Sequence, residues 1–96
     1  MLDKMKELWE MKKQADQIKK ELDACSVEVN EVRGIKIVIN GSQTVQSIEI
    51  DESLLQPINK KRFEQDVLRS INAAVRKSQN VAAQKMKNLM PGFPGL

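Results

Sequence analysis

Two stretches with apolar residues at helical spacing, Met1–Ala24 and about Asn59–Met90, enclose a short block where apolar and polar residues alternate around Asn40-Gly41. A hydrophobic period that changes from about 3.6 to 2 and back again leaves few folds open. The expected class is α+β: a helix, a three-stranded antiparallel meander and a second helix (αβββα). Ninety-six residues make one domain, expected over 1–90 and followed by a Pro/Gly tail at 91–96.

In the first helix, Leu8, Met11, Ala15, Ile18, Leu22 and Cys25 step alternately by three and four, with Met1 and Met5 ahead of them. This is an a/d-type seam, and the segment is rich in good helix formers. A helix of some 24 residues runs to about 36 Å. That exceeds what three short strands can cover, so part of it should project or pair with another helix.

Val27, Val29, Ile35, Ile37 and Ile39 alternate as the buried side of two strands, with Arg33-Gly34 as the turn between them. Asn40-Gly41 reads as the second hairpin turn, because both residues tolerate positive φ. Ile48 and Ile50 share one face of the third strand, Val45–Ile50; Val45 falls out of phase and predicts a bulge. Leu54-Leu55 should tuck under the sheet. Asn59 is the expected N-cap of the second helix, with Ile58 and Phe63 spaced as a hydrophobic staple. Val67, Leu68, Ile71, Ala74, Val75, Ala82, Met86 and Leu89 mark its expected buried side, and Pro91 stops it.

So small a chain, with three aromatics and a lone Cys25, builds a thin core. Self-association is one way to bury more apolar surface, and the open edge of a meander offers an interface. Met1–Ala24 with its early charges contains no signal-peptide apolar region, and no run reaches the length of a membrane span. The expectation is a soluble cytoplasmic protein without membrane association.

Catalytic chemistry finds little to work with. There is no histidine, a single cysteine cannot make a zinc site, and four scattered glycines do not make a phosphate loop. Asp51-Glu52 reads as a solvated turn rather than a paired-carboxylate centre. No enzyme activity, metal, cofactor or small-molecule substrate is expected.

Charge is what stands out. The first helix is neutral, the middle is acidic, and residues 57–96 hold eight bases against two acids. A cationic helix points to a polyanion. Lys60-Lys61-Arg62 is either a solvated cluster or a phosphate site at the helix start. Arg69, Arg76 and Lys77 recur at seven and eight and share a face, followed by Lys85 and Lys87. That face is either solvated or a contact for nucleic-acid backbone. On the first helix Lys12-Lys13 and Lys19-Lys20 are surrounded by acids at three and four residues, so intrahelical pairing is expected there. Aromatic residues interleaved with the bases, as single-strand binding requires, are missing; duplex DNA is the better guess.

Ile37-Val38-Ile39-Asn40-Gly41, Ile48-Glu49-Ile50-Asp51 with Leu54-Leu55, Asn72-Ala73-Ala74, the Gln79 to Met86 stretch and Met90-Pro91-Gly92-Phe93-Pro94 together resemble the YbaB/EbfC family of bacterial nucleoid-associated proteins. The resemblance covers nearly the whole chain. It implies a homodimer joined through its sheets, projecting helices that hold double-stranded DNA like tweezers, and no catalytic role. By that analogy Lys12, Lys13, Arg76 and Lys77 face the DNA. Where the family often has several glycines between its first two strands, only Gly34 remains, so that hairpin should be tight. Where the family often has acids, this chain has Lys60-Lys61-Arg62. Two other readings stay open at this point: a chaperone subunit of prefoldin type, and a helical module that docks a protein through the Leu8–Leu22 seam.

Overall fold

The computed structural model describes residues 2–89, with side chains from Asp3 onward. The expected tail at 91–96, and the Met90–Pro94 part of the family pattern, lie outside the described residues. The elements are α1 (Leu2–Ala24), β1 (Ser26–Val32), β2 (Ile35–Asn40), β3 (Val45–Ile50) and α2 (Lys60–Leu89), with short 3₁₀ turns at Glu52–Leu54 and Pro57–Asn59. The αβββα order is therefore the one the sequence predicts.

The strands form one antiparallel sheet in the order β1-β2-β3. Val27 and Val29 from β1 and Ile35, Ile37 and Ile39 from β2 are buried, together with Ala73 and Ala74 of α2. Their alternation puts all five β side chains on one sheet face, which α2 covers over β1 and β2. Ile37 and Ile39, for which the sequence allows either core or dimer seam, are core: 1% and 0% exposed. The other sheet face is polar. There Lys36 sits between Glu49 (3.2 Å) and Glu28 (3.3 Å), and its hydrogen bonds with these two carboxylates raise its pKa.

Val32 pairs with Ile35, so Arg33-Gly34 is a two-residue turn, tight as expected, with Gly34 at φ +94°. The bulge expected near Val45 is present: Val38 pairs with Ser47 but Ile39 with Val45, leaving Gln46 extra. A second bulge lies in β1 between Val29 and Val32.

Asn40-Gly41 is not the positive-φ turn the sequence suggests. The loop runs from Gly41 to Thr44, and the residue at positive φ is Gln43 (61°). The Asn40 side chain organises it, its Oδ1 accepting from the N–H groups of Ser42 (3.0 Å) and Thr44 (2.9 Å). Gly41 serves a close approach: its N–H donates to the carbonyls of Leu22 (2.9 Å) and Cys25 (3.1 Å), joining the end of α1 to the sheet. Ser78 of α2 donates to the Asn40 carbonyl (2.7 Å) at the same point. The three elements meet there, so it is the hinge-pin of the fold.

Further corrections concern helix ends and faces. Asn59 does not cap α2; it belongs to the preceding 3₁₀ turn, which runs straight into the helix. Ile58 is 92% exposed, so no staple forms with Phe63, which instead packs against the core. Leu54 reaches the core beneath Gly34, while Leu55 remains exposed. Asp51 accepts from the Ser53 N–H at the start of the first 3₁₀ turn, and that bond holds its carboxyl below the usual carboxylate range.

Where the sheet ends, α1 takes over the buried side of α2. The two helices run antiparallel, with Lys85 beside Glu21 (3.9 Å) and Leu89 beside Ile18. Ile18 is buried and Leu22 half-buried, but Leu8, Met11 and Ala15 of the same seam are exposed. The first half of α1 thus projects beyond α2, as its length predicts, giving a molecule 67 Å long and about 20 Å wide.

Candidate nucleic-acid interface

The cationic side chains of α2 are sorted by the way the helix lies on the sheet. Arg69 reaches Glu31 of β1 (3.7 Å), and the Lys77 ammonium donates to the Glu28 carbonyl of β1 (3.2 Å). This flank of α2 therefore overhangs β1, while β3 lies beyond the opposite flank, where α2 does not cover it.

Arg62, Arg69 and Arg76 are seven residues apart and all exposed. Each lies about 20° around the helix from the last, and about 10.5 Å further along it. Lys87, eleven residues beyond Arg76, completes three further turns and falls on the same line. The result is a straight cationic stripe on the β1 flank. At its lower end Arg62 and Arg69 rim a groove of about 380 Å³ floored by Phe63 and Leu54. Arg62 stands 4.0 Å from Asp66, a loose and solvated pairing like that of Arg69 with Glu31.

The other basic residues part company with the stripe. Lys60, Lys61 and Arg62 fan around the helix at about 100° each; Lys60 faces Glu64 (3.8 Å), and its amide is bonded to the Pro57 carbonyl. Lys77 does not share the surroundings of Arg69 and Arg76, because it turns inward to cap the exposed edge of β1. Lys85 turns toward α1.

On α1 the expected intrahelical pairing is not found among the described residues. Lys12, Lys13, Lys19 and Lys20 make no ion pair, and Glu21 pairs across to α2 instead. The Lys13 ammonium stands 5.7 Å from the centre of the Trp9 ring. Trp9, absent from the residues that the sequence singles out, is 61% exposed. Its signal was available: it stands outside the three–four seam, with lysines at i−3, i+3 and i+4.

The opposite, β3-side flank of α2 is apolar. Leu68 (61% exposed) and Ile71 (41%) lie there rather than on the buried side expected for them, and Ile48 (47%) and Val45 (49%) of β3 are exposed as well. Ile48 pairs with the buried Ile37 and so points to the helix side of the sheet, where α2 leaves it uncovered.

One helix of this αβββα unit thus carries a cationic stripe on one flank and exposed apolar side chains on the other. Comparison with known proteins gives the unit its family: the model of the YbaB/EbfC DNA-binding family matches residues 1–93. The chain belongs to that family. It is 34% identical over 88 residues to a nucleoid-associated protein of Chloroflexus aurantiacus, covering 91% of this chain and 88% of the relative. A nucleoid-associated protein of Hahella chejuensis is 36% identical over 93 residues (88% and 84%), and one of Syntrophobacter fumaroxidans 32% over 82 (82% and 74%). Among the described residues no helix is long and apolar enough to cross a membrane.

Proposed function

We propose that the protein binds double-stranded DNA in the bacterial nucleoid, within the cytoplasm, as a homodimer and without catalysis, through contacts made mainly to phosphates. Membership of a DNA-binding family supports the ligand, and the division of α2 into two flanks supports the manner. The stripe of Arg62, Arg69, Arg76 and Lys87 leaves one flank free for DNA. The flank of Leu68 and Ile71, with Val45 and Ile48, offers the apolar surface that a second copy would cover. A side that dimerises and a side that binds the polyanion do not compete. No cofactor or small-molecule substrate enters this reading. Lys12 and Lys13 on α1, and Lys60, Lys61 and Lys85 on α2, add to the positive field around the duplex.

Phosphate contacts release counterions, so binding should weaken by about 0.9 log units per decade of salt for each phosphate neutralised. Gel shifts over a salt series test this: a steep slope is expected with little preference among sequences. Failure to bind any duplex at low salt would overturn it. Sedimentation tests the second copy. Ile48→Glu places a carboxylate on an already exposed position and should turn the dimer into a folded monomer. A variant that still sediments as a dimer would move the interface elsewhere.

A further inference from the structure

We infer that Trp9 is a DNA-inserting side chain: the projecting end of α1 presses its indole against a base step of the duplex while flanking lysines hold the phosphates on either side. The inference rests on the DNA-binding reading above and deepens it.

Among the described residues Trp9 stays 61% exposed, with the Lys13 ammonium 5.7 Å from its ring centre. It precedes the buried Ile18 by nine residues, two and a half turns, and so points away from the side that meets α2. It lies on the part of α1 that extends past Leu89, where neither the sheet nor α2 covers it. A large aromatic held in water on a bare helix buries its area only when something binds.

Charge identifies the occupant. Lys6, Lys12 and Lys13 are one turn from Trp9, and Lys20 lies three turns on along the same side. Glu7, Glu10 and Glu21 fall on another side; Asp16 and Asp23, seven and fourteen residues beyond Trp9, lie along this line, and Asp23 accepts from the Ser42 hydroxyl. Lys6 and Lys13 stand about 10.5 Å apart along the helix with the indole between them. Two cations bracketing an apolar ring match a groove with phosphates on both walls and base edges in its floor. Apolar side chains that enter a groove this way unstack a base step and bend the duplex. One inserted indole also differs from the interleaved aromatics of single-strand binding.

Trp9 is the only tryptophan and the chain has no tyrosine, so intrinsic fluorescence reports this residue alone. Titration of the full chain with a 30-base-pair duplex at low salt should quench the emission. Trp9→Ala should bind the same duplex about ten-fold more weakly with an unchanged salt slope, and should lose the approach of the duplex ends seen by energy transfer. Trp9→Phe should retain part of both effects. Circular dichroism should show Trp9→Ala folded, as the ring makes no buried contact. Unchanged emission at saturating DNA, or full affinity and full bending by Trp9→Ala, would overturn the inference while leaving DNA binding intact. A blue shift with protein concentration alone would overturn it too, assigning Trp9 to contact between copies. A wild-type chain that binds no duplex at low salt would sink this inference and the reading beneath it together.

Discussion

Replacing Arg62, Arg69 and Arg76 together by glutamine is expected to lower duplex affinity, at about 0.1 M salt, by two to three orders of magnitude for each protomer whose stripe lies on the DNA. The expectation follows from counterion release. Each phosphate neutralised contributes about 0.9 log units per decade of salt. The variant loses three cations from each protomer, which one decade below 1 M amounts to about 2.7 log units for every protomer whose stripe lies on the duplex, and the log–log salt slope should flatten by about the same 2.7 per protomer. Folding should be spared. All three side chains are exposed, and the two that pair with acids do so at 3.7 and 4.0 Å in solvent, where such pairs are worth at most about 1 kcal/mol. Lys77→Met serves as the contrast. Its ammonium caps the Glu28 carbonyl, so its loss should cost more in melting temperature than in DNA affinity. If the triple variant keeps the wild-type slope, the stripe is not the DNA surface. Lys60→Gln with Lys61→Gln should change the slope less, because these residues fan away from the line of arginines.

What is legible in the sequence divides from what is not along a physical boundary. Element order, the buried phase of Val27 to Ile39, the Arg33-Gly34 turn and the bulge near Val45 all follow from local period and turn chemistry, and the structure has them. The two flanks of α2 do not, because which side of a helix is free depends on where the sheet lies beneath it. Arg69 and Lys77 look alike in sequence; only the overhang above β1 makes one a stripe residue and the other a cap on a strand edge. Leu68 and Ile71 read as inward-facing because helical period marks apolar residues, not what covers them. That no intrahelical ion pair forms among the described residues of α1 is also out of reach, since sequence spacing permits pairs without requiring them. Asn40-Gly41 misleads for a different reason. The dipeptide suits a tight hairpin, but tertiary demands prevail: Asn40 gathers two loop N–H groups, and Gly41 lets the end of α1 approach.

That approach makes Gly41 sensitive to a small substitution. A Cβ placed there would lie 3.0 Å from Leu22 Cδ2, 3.1 Å from the Leu22 carbonyl oxygen and 3.3 Å from its Cα. The side-chain carbon can rotate away, but the carbonyl and Cα belong to the last turns of α1. That same carbonyl accepts the Gly41 N–H at 2.9 Å, so relief of the clash stretches the bond that seats the helix. Gly41→Ala should cost about 1–2 kcal/mol, and the added methyls of Gly41→Val about 3 kcal/mol. In a domain of this size each kcal/mol lowers the melting temperature by about 4–8 °C. The loss should be local first, since Ile35, Ile37 and Ile39 remain sealed under α2 away from the clash. Hydrogen exchange should therefore show α1 losing protection before β2, and a Gly41→Ala variant that melts with the wild type would refute the close approach. An α1 loosened from the sheet can no longer hold Trp9 at a fixed distance from the arginine stripe. Gly41→Ala should accordingly weaken the quenching of Trp9 by DNA more than it weakens binding through α2, joining the packing of one glycine to the grip of both helices.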